Sequence, residues 1–246
     1  MKNIFLTLLA MVSISQTAFA ADLTFATEAT YPPFVAMTSN HEMIGYGPEV
    51  VQAVCKQMHK TCKLVNAPWE SLIPSLKMGK YDALFGGMAI TQARLAVVDF
   101  STAYYQNTIT FVVNKNAKFG LTQQDLKGKV IGVQGGTTFP LYLQQVYGKN
   151  ITIKTYASNM TALLDLKSGR VNAVFLDKPV GTAWLEKPVN SDYTSVGSIT
   201  DKAIFGPGNA IAIGKNNAAL KNSIDKALIT LKQNGELKKL QQKWFK

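Results

Sequence analysis

Leu76-Lys77-Met78-Gly79-Lys80-Tyr81-Asp82-Ala83-Leu84-Phe85 recurs 90 residues further on as Leu166-Lys167-Ser168-Gly169-Arg170-Val171-Asn172-Ala173-Val174-Phe175. Each copy reads as the end of a helix, a glycine where the backbone must turn left-handed, and a buried strand entered through Asp or Asn. The echo is read either as an internal duplication or as two instances of one common helix-to-strand joint. On both readings each half of the chain holds its own α/β unit, and the fold class is α/β with largely parallel sheets.

Outward from these joints, helical and strand periodicities alternate almost throughout. Asp22 to Thr27 reads as an alternating strand. Pro48 opens a helix whose Val50, Val51, Val54 and Met58 repeat at three and four, and a second helix runs near Glu70 to Met78 and stops at Gly79. Ile109 to Val113 is an apolar strand, and Val130 to Val133 runs through Gly135-Gly136 into a helix with Pro140 in its first turn, where the missing N–H costs nothing. Asn217 caps a helix with Leu220, Ile224, Leu228 and Leu231 on one face and Gly235 as its stop. Open α/β sheets bind ligands beyond the carboxyl ends of their strands, here Gly86-Gly87 in one half and Leu176-Asp177 in the other. A ligand clamped between two lobes would meet both ends. No long Ser/Gly or Pro linker intervenes, so tight crossings such as Ile109 to Val113 and Asn209 to Ile213 are expected to join the lobes.

The composition excludes several classes of protein. With 47% hydrophobic and 17% charged residues the chain is an ordinary globular one. Lys2, the apolar stretch Ile4 to Ile14 and Ala18-Phe19-Ala20 form a secretory signal-peptide pattern over residues 1–20, too short an apolar run to span a bilayer. Its removal leaves about 226 of the 246 residues, enough for a substantial core, with no Cys at the cleavage site to carry a lipid. Export to a periplasm is the expectation. In an exported chain Cys55 and Cys62, seven apart, read as one short-loop disulfide, with unpaired buried thiols as the alternative. Two histidines, His41 and His59, supply metal chemistry poorly, and no metal or cofactor is expected. The net charge of +11 is dominated by lysines such as Lys215, Lys226 and Lys238 spread over the last helical stretch, the pattern of a solvated face rather than of a nucleic-acid surface.

The G-x-S-x-G, H-E-x-x-H, P-loop and G-x-G-x-x-G motifs are all missing. What remains is anion and cation chemistry at strand ends. Gly132-Val133-Gln134-Gly135-Gly136-Thr137 followed by Thr138 forms a strand, a glycine turn and a helix N-terminus, which suits a carboxylate or is a simple turn capped by Thr137 or Thr138. In Gly86-Gly87-Met88-Ala89-Ile90-Thr91-Gln92-Ala93-Arg94, Thr91 can cap a short helix and Arg94 offers a planar fork to a carboxylate. An Arg near a helix N-terminus opposes the dipole and so serves an anion better than the helix; the alternative is a surface ion pair. In Glu28-Ala29-Thr30-Tyr31-Pro32-Pro33-Phe34, Pro-Pro is expected to hold the chain extended and to fix Tyr31 on a cleft wall opposite Trp69. With Glu28 and Asp177 these aromatic residues outline a slot for a chain ending in a cation, although aromatic pairs more commonly belong to a core.

Together these segments resemble, over essentially the whole mature length, the periplasmic solute-binding proteins of polar-amino-acid ABC transporters, and within them the arginine-binding and lysine/arginine/ornithine-binding proteins. The matching segments are Thr30 to Phe34, Trp69-Glu70-Ser71-Leu72-Ile73-Pro74-Ser75-Leu76, Met88 to Thr91 with Arg94, Gly132 to Thr138, Asp177, and Cys55 with Cys62. The resemblance implies a two-lobed type II periplasmic-binding-protein fold, each lobe an α/β sandwich, hinged on two crossing strands. Residues 21–108 and 206–246 would form lobe 1, and residues 109–205 lobe 2. It implies a non-enzymatic, monomeric receptor for a cationic L-amino acid, arginine first, delivered to an inner-membrane permease. Arg94 would grip the ligand carboxylate with backbone N–H groups around Ala89 and Thr138. Asp177 would take the α-ammonium, Tyr31 and Trp69 would sandwich the side chain, and Glu28 would meet its distal charge. Gly86, Gly87, Met88 and Thr91 from one side, and Gln134, Thr137 and Phe139 from the other, complete the expected site. The chain departs from the family at Gly45-Tyr46-Gly47-Pro48-Glu49, where G-F-D-x-D is usual, and at Ala89 and Phe139, where polar residues are common. Exported cyclohexadienyl dehydratases resemble the same family, so an enzyme on this scaffold, with Glu28 as general acid, is the rival reading.

Overall fold

The computed structural model describes residues 23–106 and 108–245; the signal-peptide segment 1–20 lies outside them. The chain opens with β1 (Leu23–Thr27), a small antiparallel sheet of β2 (Thr30–Tyr31), β3 (Val35–Met37) and β4 (Met43–Ile44), then α1 (Tyr46–Gln57) and β5 (Cys62–Asn66). It continues through α2 (Trp69–Lys77), β6 (Ala83–Leu84), α3 (Gln92–Leu95) and β7 (Val98–Phe100). The second part comprises β8 (Ile109–Asn114), β9 (Val130–Gln134), α4 (Phe139–Tyr147), β10 (Thr152–Tyr156), α5 (Asn159–Lys167), β11 (Ala173–Asp177), α6 (Lys178–Leu185), β12 (Tyr193–Ile199) and α7 (Lys202–Phe205). The chain then returns to the first part with β13 (Ala212–Gly214), α8 (Ala218–Gln233) and α9 (Glu236–Trp244).

Two five-stranded mixed sheets result, ordered β5-β1-β6-β13-β7 and β10-β9-β11-β8-β12, with helices on both faces. In the first sheet Val50, Val51 and Val54 of α1 and Ile224, Leu228 and Leu231 of α8 bury one face, while Leu72, Leu76 and Leu84 belong to the core on the other. In the second, Phe111, Ile131, Leu143 and Phe175 form one core, and Val112, Leu163, Val174 and Val180 the opposite one. β1 does not alternate as expected: Phe25, Ala26 and Thr27 are all buried, because the strand runs between β5 and β6 with helices above and below.

The two joints of the sequence echo share their backbone geometry and hydrogen bonds. Gly79 and Gly169 take φ of +72° and +73°, and their N–H groups donate to Leu76 and Leu166. Asp82 Oδ2 accepts from Thr24 N and Asn172 Oδ1 from Val130 N, each at 2.7 Å, so each residue clamps its strand to the neighbouring one. The disulfide Cys55–Cys62 ties α1 to β5.

Three local readings are corrected. Pro48 is the third residue of α1, not its first, because Gly45 at φ +130° turns the chain two residues earlier. The Pro32–Pro33 segment is a turn with a cis Pro32–Pro33 bond, not an extended run, and it joins β2 to β3 as a hairpin. Ile109 to Val113 is no crossing: β8 lies wholly within the second sheet between β11 and β12. The crossing segments instead meet one step away, where Asn209 bridges antiparallel to Ala89 and Tyr105. Asn209 N donates to Tyr105 O at 2.8 Å, and Asn209 O accepts from Tyr104 N at 3.0 Å. The terminal helical stretch breaks at Gly235, φ +79°, into α8 and α9, whose lysines lie at the surface and in part pair, as Lys221 does with Asp225 at 2.6 Å and Lys243 with Glu49 at 2.5 Å.

Candidate functional site

Strand ends of both sheets converge on one cleft. β1 delivers Glu28 to it, the backbone being held there by a hydrogen bond from Ala29 N to Asn66 Oδ1 at 2.9 Å. Glu28 Oε1 accepts from Thr30 Oγ1 at 3.0 Å, and Oε2 accepts from Gln134 Nε2 at 2.6 Å, across the two lobes. Burial raises the Glu28 pKa above its ordinary value, and the bonds from Gln134 and Thr30 pull the other way. Tyr31 is stacked on Phe34, ring centroids 5.5 Å apart at 19°. Behind it Gly87 is required: φ is +85°, and a Cβ would come within 2.9 Å of the Tyr31 ring.

Trp69, the first residue of α2, faces the other lobe and donates Nε1–H to Gly136 O at 3.1 Å. Arg94, third in α3, lies over the Trp69 ring with Cζ 5.4 Å from its centroid. Thr91 caps this helix as expected, its hydroxyl accepting from Arg94 N at 3.2 Å. The guanidinium donates Nη1–H to Ala89 O at 2.9 Å and Nη2–H to Gly136 O at 3.2 Å, which uses two of its five N–H donors. Burial lowers its pKa to about 10, so it remains a cation at neutral pH.

From the second sheet, β9 ends at Gln134, whose Oε1 accepts from Asn159 Nδ2 at 2.6 Å and whose Nε2 also donates to Ala157 O at 3.1 Å. Thr137 Oγ1 donates to Gln134 O at 2.7 Å and accepts from Phe139 N at 3.3 Å, which leaves Thr138 as the backbone cap of α4. Asp177 ends β11 and is 5% exposed; burial pushes its carboxyl pKa up to about 8. The cleft is narrow: about 40 Å³ of it admits the centre of a water-sized sphere.

Twelve of the fourteen expected residues line it: Glu28, Tyr31, Trp69, Gly86, Gly87, Ala89 and Arg94 from one side, and Gln134, Thr137, Thr138, Phe139 and Asp177 from the other. Met88 is not among them, because it is 1% exposed in the first sheet's core; nor is Thr91, whose hydroxyl accepts the α3 capping bond. Three lining residues lay outside the expected set: Ile109, Phe205 and Asn209. None belongs to a motif; they reach the wall because β8, α7 and the returning strand begin or end at the crossing. A cation at Arg94, two desolvated carboxyl groups at Glu28 and Asp177, and flat walls at Tyr31 and Trp69 suit a small zwitterion with a further positive group.

The sequence matches the family of bacterial extracellular solute-binding proteins, family 3, over residues 23–246. It is 37% identical over 244 residues to ABC transporter arginine-binding protein 1 of Escherichia coli K12, covering 99% of this chain and 98% of that one. The fold is similar to that of a Salmonella typhimurium periplasmic binding protein described for its high arginine specificity, with a TM-score of 0.85 and 38% identity over 92% of this chain and 100% of the other. It is equally similar to an ancestral arginine-binding protein bound to arginine, with a TM-score of 0.85 and 32% identity over 93% of this chain and 100% of the other. The chain belongs to the family-3 solute-binding proteins, with the two-lobed architecture that its neighbours share.

Proposed function

We propose that this family-3 solute-binding protein captures a cationic L-amino acid, arginine first, between its lobes and presents it to an inner-membrane ABC permease. Relatives over the full chain include arginine-binding proteins of ABC transporters and of the periplasm, and histidine-binding periplasmic proteins, rather than enzymes. The observation that carries the ligand assignment is the set of charged groups brought to one cleft: a guanidinium lying over Trp69, and the carboxyl groups of Glu28 and Asp177 in the same lining.

In this reading Arg94, with amide N–H groups near Ala89 and Thr138, takes the ligand carboxylate. Asp177 takes the α-ammonium, and binding an ammonium favours its ionised form. Tyr31 and Trp69 flank the aliphatic stem, and Glu28 meets the distal charge. The two sheets are the cores of two lobes, 21–108 with 206–246 and 109–205. Bonds across the cleft, Gln134 to Glu28 and both Trp69 and Arg94 to Gly136, support a closed form that a ligand would select. Export with cleavage after Ala20, a periplasmic location and a monomeric receptor complete the reading; no helix among the described residues is long and apolar enough to cross a membrane.

Calorimetric titration of the ligand-stripped mature protein with the twenty common amino acids and ornithine tests it. Micromolar or tighter binding restricted to cationic members is expected, about −8 kcal/mol or better. Binding confined to neutral amino acids would overturn the role of Glu28. Silence across the panel, with phenylpyruvate released from prephenate, would overturn the receptor reading itself.

A further inference from the structure

We infer that Asn209, carried on the crossing segment rather than at a strand end of either lobe, is a further binding residue for the ligand's carboxylate group; the inference rests on the amino-acid-binding reading above. Asn209 is 3% exposed and lines the cleft, yet its side-chain Nδ2 is buried with no hydrogen-bond partner among the described residues. A buried amide donor left unmade is costly, and native structures rarely keep one without a use.

Its position is rigid. The Asn209 backbone bonds Tyr105 and Tyr104, and the adjoining residues close the pairing on the other side, Ala210 N donating to Met88 O and Ile90 N to Gly208 O, both at 3.0 Å. Asn209 and Ala89 are antiparallel bridge partners, and both line the cleft. Directly paired residues on one face hold their Cβ atoms about 5 Å apart. Ala89 contributes only a methyl group to the cleft, while its carbonyl anchors the Arg94 guanidinium at 2.9 Å. The unmet N–H of Asn209 therefore belongs to the stretch of cleft wall at Ala89, whose carbonyl holds the Arg94 guanidinium, itself a donor with N–H groups beyond the two so used. The group that satisfies a guanidinium and an amide N–H together is an anionic acceptor, and a carboxylate with two oxygens fits both. The strand pairing thus supplies, from Asn209, the polar contact that Ala89 lacks. Because the carboxylate is common to all amino acids, Asn209 sets affinity and not the choice among side chains.

The test uses the mature protein with L-arginine, L-lysine and L-argininamide, whose carboxylate is replaced by a neutral carboxamide, in calorimetry alongside thermal melts without ligand. Asn209→Ala is expected to weaken L-arginine about tenfold, and Asn209→Asp, equal in size but without the donor, about a hundredfold. The arginine-to-lysine ratio should not change, the melting temperature of the ligand-free Asn209→Ala variant should not fall, and L-argininamide should lose less than L-arginine does. Wild-type affinity for L-arginine in either variant would overturn the inference. So would equal losses for L-arginine and L-argininamide, or a lower melting temperature with unchanged affinity, which mark a structural role. A wild-type protein that binds no amino acid would instead reject the reading on which the inference stands.

Discussion

Asp177 shows how a single residue links burial to both binding and stability. It ends β11 inside the cleft, and desolvation pushes its pKa up to about 8. A bound ammonium requires the ionised form, so below that pH a proton must leave as ligand enters. Apparent affinity for L-arginine is expected to fall about tenfold per unit as pH drops from 8 to 6; calorimetry at pH 6, 7 and 8.5 that showed one constant affinity would remove Asp177 from the ammonium site. The stability effect has the opposite sense. The unfolded value is about 3.9, so between about pH 4 and 8 the folded state holds a proton that the unfolded state has lost, and folding becomes less favourable as pH rises through that window. Asp177→Asn should therefore raise the ligand-free melting temperature at pH 8 and leave it nearly unchanged at pH 4, while abolishing binding. Asp177 and Arg94 were legible as residue types at strand and helix ends. The missing partner of Asn209 was not, because a lone Asn in a returning strand carries no spacing signal.

At the scale of elements, the turn between β9 and α4 is also a contact between lobes. Gly136 has φ +65°, and a Cβ there would meet Trp69 at 3.3 Å. Gly136→Ala is expected to cost roughly 1–2 kcal/mol of stability from the left-handed backbone, a loss of about 2–8 °C in melting temperature for a chain of this size. It should also weaken L-arginine binding, since the Trp69 contact is made across the cleft. A melt shifted as stated with affinity unchanged would show that Trp69 yields and that this turn has no part in closure. The helices with a side-chain cap and a glycine stop, α8 above all, were readable because both signals are local. The start of α1 and the course of Pro32–Pro33 were misread: each is decided by backbone contacts to distant residues, as in the bonds from Tyr46 N to Pro33 O and from Gly47 N to Phe34 O.

For the whole molecule, the full sequence's net charge of +11 opposes a cationic ligand at long range, while in the proposed reading the Glu28 carboxylate attracts it at short range and Asp177 does so only once ionised. Screening acts over roughly 8–10 Å at physiological ionic strength. The association rate of L-arginine should therefore rise with salt between 10 and 150 mM while that of a neutral amino acid stays flat, read by stopped-flow tryptophan fluorescence; a falling rate would show that the local carboxyl groups govern the approach. The sequence alone determined the α/β class and the twin helix-to-strand joints, favoured the disulfide over free thiols, and outlined the cleft at Glu28, Tyr31, Trp69, Arg94 and Asp177, while the rest of the lining set came from the family resemblance. The first of these follow from periodicity, glycine stops, cysteine spacing and strand-end chemistry, all written within short stretches of chain. Only the tertiary structure decided where the two lobes cross, which face of β8 and of the returning strand meets the cleft, and that Gly136 is shared by Trp69 and Arg94. Those contacts join residues as far apart as Ala89 and Asn209, and such pairing is set by the register of strands that no local pattern specifies.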